Sequence, residues 1–335
     1  MTLRPLTCAL LLSGSATAFA QTVLTVSSWL PPTHTVSVSQ QKWCAALEQE
    51  SKNSLKCNIL PKAVVAPPGT FDAVRDGLAD ISYTVDGYTP GRFVFTQVAE
   101  FPFLGDSSES TSVAYQRTYQ KHFAPIGEHR GAKVLGVFTH GPGVIFNTKK
   151  PITSAADVAS LKFRIGGGNI SELSKAMGWN VTLKPATESY ELLSTGVMDG
   201  TFLPDESLAS FKLNMVKHVT RFPGGLYNSS FVFLMNADKY KSLTAEQKAV
   251  LDKLSGEYVA RLFGQGWDAL DKASREGAQV SQGVQQTAAP QAFVNEIKAK
   301  QSALEDKWAA AAEAKGLKNA KGVLAEFRAE IAKVK

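Results

Sequence analysis

Histidines, cysteines and a run of three glycines are the residues of this 335-residue chain whose types first invite chemistry. His34, His122, His129, His140 and His218 stand apart, and no two lie at the i, i+4 spacing by which a helix presents two imidazoles to one metal. Each reads as structural when taken alone. His140 is the exception, because Thr-His-Gly-Pro-Gly ends a strand, and open α/β sheets bind ligands beyond the carboxyl ends of their strands. Gly166-Gly167-Gly168 falls between a strand and a helix but lacks both the lysine of a P-loop and the third-glycine spacing of a dinucleotide fingerprint. Gly167 therefore reads either as a close backbone approach to a ligand or simply as a turn. No G-x-S-x-G elbow is present. The carboxylates are scattered, with no recognisable acid–base pair.

Of the three cysteines, Cys8 lies in the first twenty residues. Cys44 and Cys57 have neither zinc-site nor C-x-x-C spacing. In an oxidising compartment they can form a disulfide between a helix and the strand that follows it; the other reading is two reduced, partly buried thiols. The net charge of +6 is spread along the chain without a polybasic block. That pattern speaks against nucleic acid, while a mild positive field helps attract anions.

These residues must be positioned by regular elements, and the chain supplies them in alternation. Met1–Ala20 has Arg4, an apolar run from Leu6 to Leu12 and an Ala-Phe-Ala end, the pattern of a cleaved signal peptide (1–20). Beyond it a strand is expected over Val23–Ser28, then a Trp29–His34 loop, a helix to about Ser51 and a strand over Leu55–Leu60. A helix over Thr70–Leu78 leads to a strand over Asp80–Val85. The βα alternation resumes with strands at Lys133–Thr139, Val144–Asn147, Lys162–Ile165, Asn180–Leu183 and from Gly200, with short helices between them. This order predicts sheets with helices on their faces. Val74–Ile81 echoes Leu193–Gly200, each a helix closed by glycine and then a strand opened by aspartate, which supports two similar lobes. From Thr244, where Thr-Ala-Glu-Gln forms a capping box, the pattern is helical to about Glu276. Gln279–Ala289 reads as an extended or looping connection, and helices follow near Gln291–Lys315 and Lys321–Val334.

In this order the segments Trp29–His34, Gly77–Ile81, Glu100-Phe-Pro-Phe-Leu104, Lys149–Arg164, Glu188 with Leu192–Gly200, and Leu243–Gln247 resemble the solute-binding subunits of TRAP (tripartite ATP-independent periplasmic) transporters, of the dicarboxylate-binding type. The resemblance covers essentially all of the chain after the signal segment. It implies an α/β, two-lobe periplasmic binding protein fold (type II-like) with a ligand cleft between the lobes and a long helix spanning both. Lobe 1 is expected from 21–143 plus about 232–260, and lobe 2 from 144–231 plus the C-terminal helices, about 261–335. It further implies periplasmic location, capture of a small organic carboxylate, no cofactor, no membrane insertion, and delivery to TRAP membrane permease subunits.

The family's ligand-binding arginine after Leu-Lys-x falls on Arg164. A guanidinium offers two parallel donors that match a carboxylate, and shielding in a cleft strengthens the pair. The bland reading of Arg164 is a salt bridge. Some relatives carry a second arginine where this chain has Val144, and polar groups where it has Thr201-Phe202-Leu203. The cleft is therefore expected to be apolar and to suit a monocarboxylate with an apolar or aromatic body, such as a hydroxy or keto acid. Trp29, Tyr83, Tyr88, Phe101, Phe103, Phe146, Phe202 and Tyr227 are candidates for its walls. His34, His140 and Gly167 join them as ligand-contact candidates. Asp205 or Glu206 is expected to hydrogen-bond a hydroxyl or amino group of the ligand. The competing readings are an amino-acid-binding protein of an ABC importer or sensor, and a periplasmic enzyme on a similar scaffold, for which the sequence shows no acid–base pair.

Overall fold

The computed structural model describes residues 21–334, so the expected signal segment lies outside the described residues. Two sheets organise the chain. The first combines β1 (Thr22–Val26), β2 (Leu55–Ile59), β3 (Ile81–Val85) and β4 (Ala132–Thr139) with a strand that returns late, β10 (Ser230–Asn236). Its order is β2-β1-β3-β10-β4. The second holds β5 (Val144–Asn147), β6 (Lys162–Ile165), β7 (Asn180–Leu183), β8 (Gly200–Leu203), β9 (His218–Arg221) and β11 (Gln285–Ala288), in the order β11-β9-β5-β8-β6-β7.

The alternation of strand and helix predicts this layering, and it is found. What it leaves out is β9 and β10. β10 lies antiparallel between β3 and β4, with every residue from Ser230 to Asn236 buried. A strand covered on both faces reads as a continuous apolar run, here Phe-Val-Phe-Leu-Met, and lacks the period-2 signature of a half-exposed strand. The expected loop at Gln279–Ala289 is also different. Residues to Ser281 stay helical, and Gln285–Ala288 pairs parallel with β9 at the edge of the second sheet.

The local signals are otherwise good guides. Thr244 and Gln247 cap each other reciprocally, as the capping box requires. Cys44 and Cys57 are joined by a disulfide that ties the helix Thr35–Glu50 to β2.

The chain passes between the sheets at residues 140–143, at 222–229, and through a helical run that begins at Glu257. The first two crossings lie side by side: Gly143 N–H donates to Tyr227 O at 2.9 Å and Leu226 N–H to Gly143 O at 2.9 Å. The third starts as the helix Glu257–Ala273 against β4 and the helices Thr35–Glu50 and Ser108–Thr118. It continues through a wider turn, Ser274–Ala278, to Ser281, where β11 takes over in the second sheet. At 1.5 Å per residue this run is roughly 35–40 Å long, enough to reach from one lobe to the other. The sequence reading grouped everything after about 260 with lobe 2. Yet most of this helix packs on first-sheet elements, and the final helix Ala320–Ile331 also packs on Ser108–Thr118.

Candidate ligand-binding site

A narrow space opens between the lobes. Its walls come from residues just past the carboxyl ends of β1, β3, β4, β6 and β8, the place where open α/β sheets bind ligands. Trp29, Tyr88, His140, Phe231 and Trp267 face it from the first-sheet side, and Arg164, Gly166, Leu203, Ser207 and Phe211 from the second.

Arg164 is the centre of its electrostatics. β6 runs between β7 and β8, so the arginine stands inside a sheet and is only 1% exposed. Its Nε–H donates to Lys184 O at 2.7 Å, Nη1 to Phe202 O at 3.2 Å, and Nη2 to the Tyr88 hydroxyl at 3.4 Å. Three of five N–H groups are thus held by neutral partners, leaving one on each terminal nitrogen. Among the described residues no carboxylate lies within salt-bridge distance of it. The salt-bridge reading of Arg164 therefore fails. The missing side chain of Gly166 keeps the space in front of the fork open. A Cβ there would stand 3.6 Å from Arg164 Nη2 and 3.8 Å from Ser229 Oγ, and 4.0 Å from the Tyr88 ring.

Tyr88 adds a donor. Its hydroxyl oxygen accepts from Arg164 and from Ala186 N–H at 2.9 Å. A phenol with both acceptor sites engaged keeps its own hydrogen to give. His140 is held neutral, because burial pushes its pKa down to about 4 and the nearby Arg164 charge adds to the fall. Its Nδ1 faces the Gly141 carbonyl, which can only accept, so Nδ1 carries the hydrogen. Nε2 then accepts from the Ser229 hydroxyl at 3.1 Å.

His34 also reaches this space, and it starts a helix as well. Its Nδ1 accepts from Val36 N–H at 3.2 Å, capping Thr35–Glu50. Burial lowers its pKa against the opposing pull of Glu206.

The structure thus brings Trp29, His34, Tyr88, His140 and Arg164 onto one cavity, together with Tyr227. Four other site candidates fall elsewhere. Phe101 is buried edge-on against Trp308 in the core. Phe202 packs on Phe163 and Trp179, and contributes only its carbonyl, to Arg164. Asp205 pairs with Arg221 and Arg275 and accepts from Gln279 Nε2 at 2.7 Å, so it fastens the far end of the spanning helix. Gly167 is a lobe-to-lobe contact: at φ +85° a Cβ would lie 2.1 Å from Gly87 O, in the segment after β3. Of the other aromatic candidates, Tyr83 is internal, bonded through its hydroxyl to Ser28, and Phe146 is fully buried in a core cluster.

The sequence reading missed Ser207, Phe211, Ser229, Phe231 and Trp267. Trp267 follows Val259, Ala260 and Phe263 on one buried helical face and so reads as core. The one available signal was Asp271 on that same face, a lone acid whose burial raises its pKa well above the usual carboxylate range.

A second lobe-to-lobe contact lies beside Gly167. Glu100, 2% exposed, accepts from Ser230 N–H at 3.2 Å and from the Ser230 hydroxyl at 2.5 Å on the first sheet. Its other oxygen accepts from Asn169 N–H of the second lobe at 2.9 Å, and Asn169 Nδ2 reaches Gln97 O at 2.7 Å. Burial pushes the Glu100 pKa up to about 7. A group whose pKa rises on burial takes up a proton as the lobes close, so closure is favoured at low pH and weakened as pH rises from the ordinary carboxylate range through about 7. Ligand affinity is expected to fall by roughly tenfold between pH 6 and pH 8. Titration calorimetry on wild type and Glu100→Gln checks this. A wild type with flat affinity over that range removes Glu100 from the closure equilibrium, whereas a slope lost in the glutamine variant assigns it there.

Residues 26–312 match the family described as bacterial extracellular solute-binding protein, family 7. A TRAP periplasmic solute-binding protein from Bordetella bronchiseptica, solved with (R)-mandelate and (S)-mandelate bound, is 41% identical, covers 94% of this chain and 100% of its own, and superposes with a TM-score of 0.90. A marine-metagenome TRAP solute-binding protein described as specific for aromatic acid ligands, solved with 3-hydroxybenzoate, is 34% identical over 94% of this chain and 99% of its own, with a TM-score of 0.87. The outer membrane transporter protein TsaT of Comamonas testosteroni is 28% identical over 313 residues, 93% of this chain and 92% of that protein. The family match runs through both lobes and the cleft that holds Arg164. The chain therefore belongs to family 7 of the bacterial extracellular solute-binding proteins, the TRAP-transporter type that its motifs resemble.

Proposed function

We propose that this protein captures a monocarboxylate with an aromatic or otherwise apolar body in the periplasm, without altering it, and presents it to a TRAP membrane permease. The observation that carries the reading is Arg164, a buried guanidinium with two N–H groups to spare and, among the described residues, no carboxylate partner. A buried charge without a counter-charge is costly, and an anion entering the cleft supplies what is missing. The two spare N–H groups and the Tyr88 hydroxyl make three donors for one carboxylate. A second carboxylate would meet no further arginine or lysine, because Arg164 is the only one among the described residues lining the cavity. The remaining walls are largely aromatic and aliphatic, which suits a ring. Relatives at 41% and 34% identity hold mandelate and 3-hydroxybenzoate, each one carboxylate on an aromatic body. No described helix is long and apolar enough to cross a membrane, in keeping with a role in which the permease supplies the membrane part.

A thermal-shift screen of the protein lacking residues 1–20 tests the reading. A micromolar ligand at millimolar concentration adds about 4 kcal/mol to the native state. Benzoate, mandelate and phenylacetate are expected to raise the Tm by several degrees, and succinate and glucuronate not to do so. Shifts from diacids, sugars or cations alone overturn the assignment, and an acid recovered chemically changed overturns the non-enzymatic part.

A further inference from the structure

We propose that the cleft contains a second, neutral polar anchor besides Arg164, formed by Trp267 and Ser207, and that the ligand therefore carries a hydroxyl group on its aromatic body. The inference rests on the reading of Arg164 as the carboxylate anchor and goes beyond it by naming the other end of the ligand.

Trp267 and Ser207 both line the cavity, are 2% and 1% exposed, and are without a hydrogen-bond partner at Nε1 and Oγ. Other polar side chains around the cavity, such as Tyr88, His140 and Ser229, are bonded within the protein. Buried polar groups left unpaired are uncommon and costly, so two lining one cavity ask for a partner. Neither side chain is bonded to Arg164. Trp267 meets His34 edge-on, with ring centroids 5.2 Å apart, and His34 packs on Phe211, four residues beyond Ser207. Arg164 is fastened instead to Tyr88, Lys184 and Phe202.

The chemistry of the missing group follows from its surroundings. The indole N–H can only donate, so the group must accept; an ammonium is excluded. A second carboxylate accepts, but among the described residues lining the cavity it would meet no arginine or lysine besides Arg164. A carbonyl accepts from Trp267 but has no hydrogen to give, so it leaves Ser207 the donor role only. A hydroxyl accepts from Trp267 and still has a hydrogen for Ser207, which can take either role.

Titration calorimetry with phenylacetate and its three ring-hydroxylated isomers, on wild type, Ser207→Ala and Trp267→Phe, tests this. At least one isomer is expected to bind wild type about tenfold or more tighter than phenylacetate, since the parent acid leaves both groups unpaired. Each variant should erase that preference, read as the ratio of isomer to phenylacetate Kd within the same protein. Because the tryptophan variant disturbs packing as well, the serine variant carries the decision. Phenylacetate binding wild type as tightly as every isomer overturns the second anchor and leaves Arg164 standing. So does a preference that survives Ser207→Ala. Failure of wild type to bind any of the four acids overturns the carboxylate reading and the second anchor together.

Discussion

Arg164→Ala is expected to abolish ligand binding while leaving a folded protein. Truncating one partner of a buried charge pair typically costs 2–5 kcal/mol, or roughly thirtyfold to several-thousandfold in Kd. The unliganded protein has less to lose. Alanine forfeits hydrogen bonds to Lys184 O, Phe202 O and the Tyr88 hydroxyl, but it also removes a cation that is 1% exposed and has no carboxylate partner among the described residues. These effects oppose one another. The apo Tm should therefore move by only a few degrees while the ligand-induced shift vanishes. Arg164→Lys should bind almost as poorly, because an ammonium cannot reach Lys184 O and also present a parallel fork to a carboxylate. Calorimetry with benzoate or mandelate decides it. Alanine affinity within about threefold of wild type removes Arg164 from the site, and near-normal lysine affinity reduces its role to charge attraction.

Gly167→Ala is also expected to weaken binding, without touching any residue of the cavity wall. Gly167 has φ +85°, where an L side chain costs roughly 1–2 kcal/mol. Its added Cβ would also stand 2.1 Å from Gly87 O, a backbone atom of the other lobe. Neither side can yield easily. A Cβ on Gly87 would in turn lie 2.8 Å from Gly168 N, and one on Gly168 would lie 2.0 Å from Glu100 Oε2. The segments therefore meet backbone to backbone, and the methyl group pushes the lobes apart. A ligand held by both lobes then loses affinity by the fraction of molecules still able to close, here on the order of tenfold to a hundredfold. Small-angle scattering should show wild type contracting when ligand is added and the variant remaining expanded. A variant that contracts and binds normally would falsify Gly167 as a closure contact.

The family resemblance could single out Arg164 because its context is local in the chain, a short helix followed by Leu-Lys-Phe-Arg. What that arginine lacks could not be read there. The absence of a carboxylate partner is a property of everything folded around it. Gly167 shows the reverse error. Its neighbours in the chain suggested a ligand contact, and Gly166 does line the cavity, but one residue further on the chain faces the opposite lobe. Asp205 was misjudged for the same reason: its partners Arg221, Arg275 and Gln279 come from segments joined only when the spanning helix docks. Phe101 and Phe202 failed because an aromatic ring in a strand or loop carries the same sequence signal whether it faces core or cleft.

Periodicity, caps and turn glycines set the order of strands and helices, since those signals act over a few residues and need no distant partner. They account for the βα alternation, the capping box at Thr244 and the helix–strand neighbourhood that lets Cys44 meet Cys57. The return of β10 to the first sheet, the pairing of β11 with β9 and the gathering of Tyr88, His140, Arg164 and Trp267 around one space belong to the tertiary fold. Each depends on contacts between residues tens to more than a hundred positions apart, whose free energy is paid back only after the chain has closed the loops between them. Local chemistry named the residue types that could bind an anion. Long-range packing chose which of them share a cavity, which one is left charged and unpartnered, and which merely hold the two lobes together.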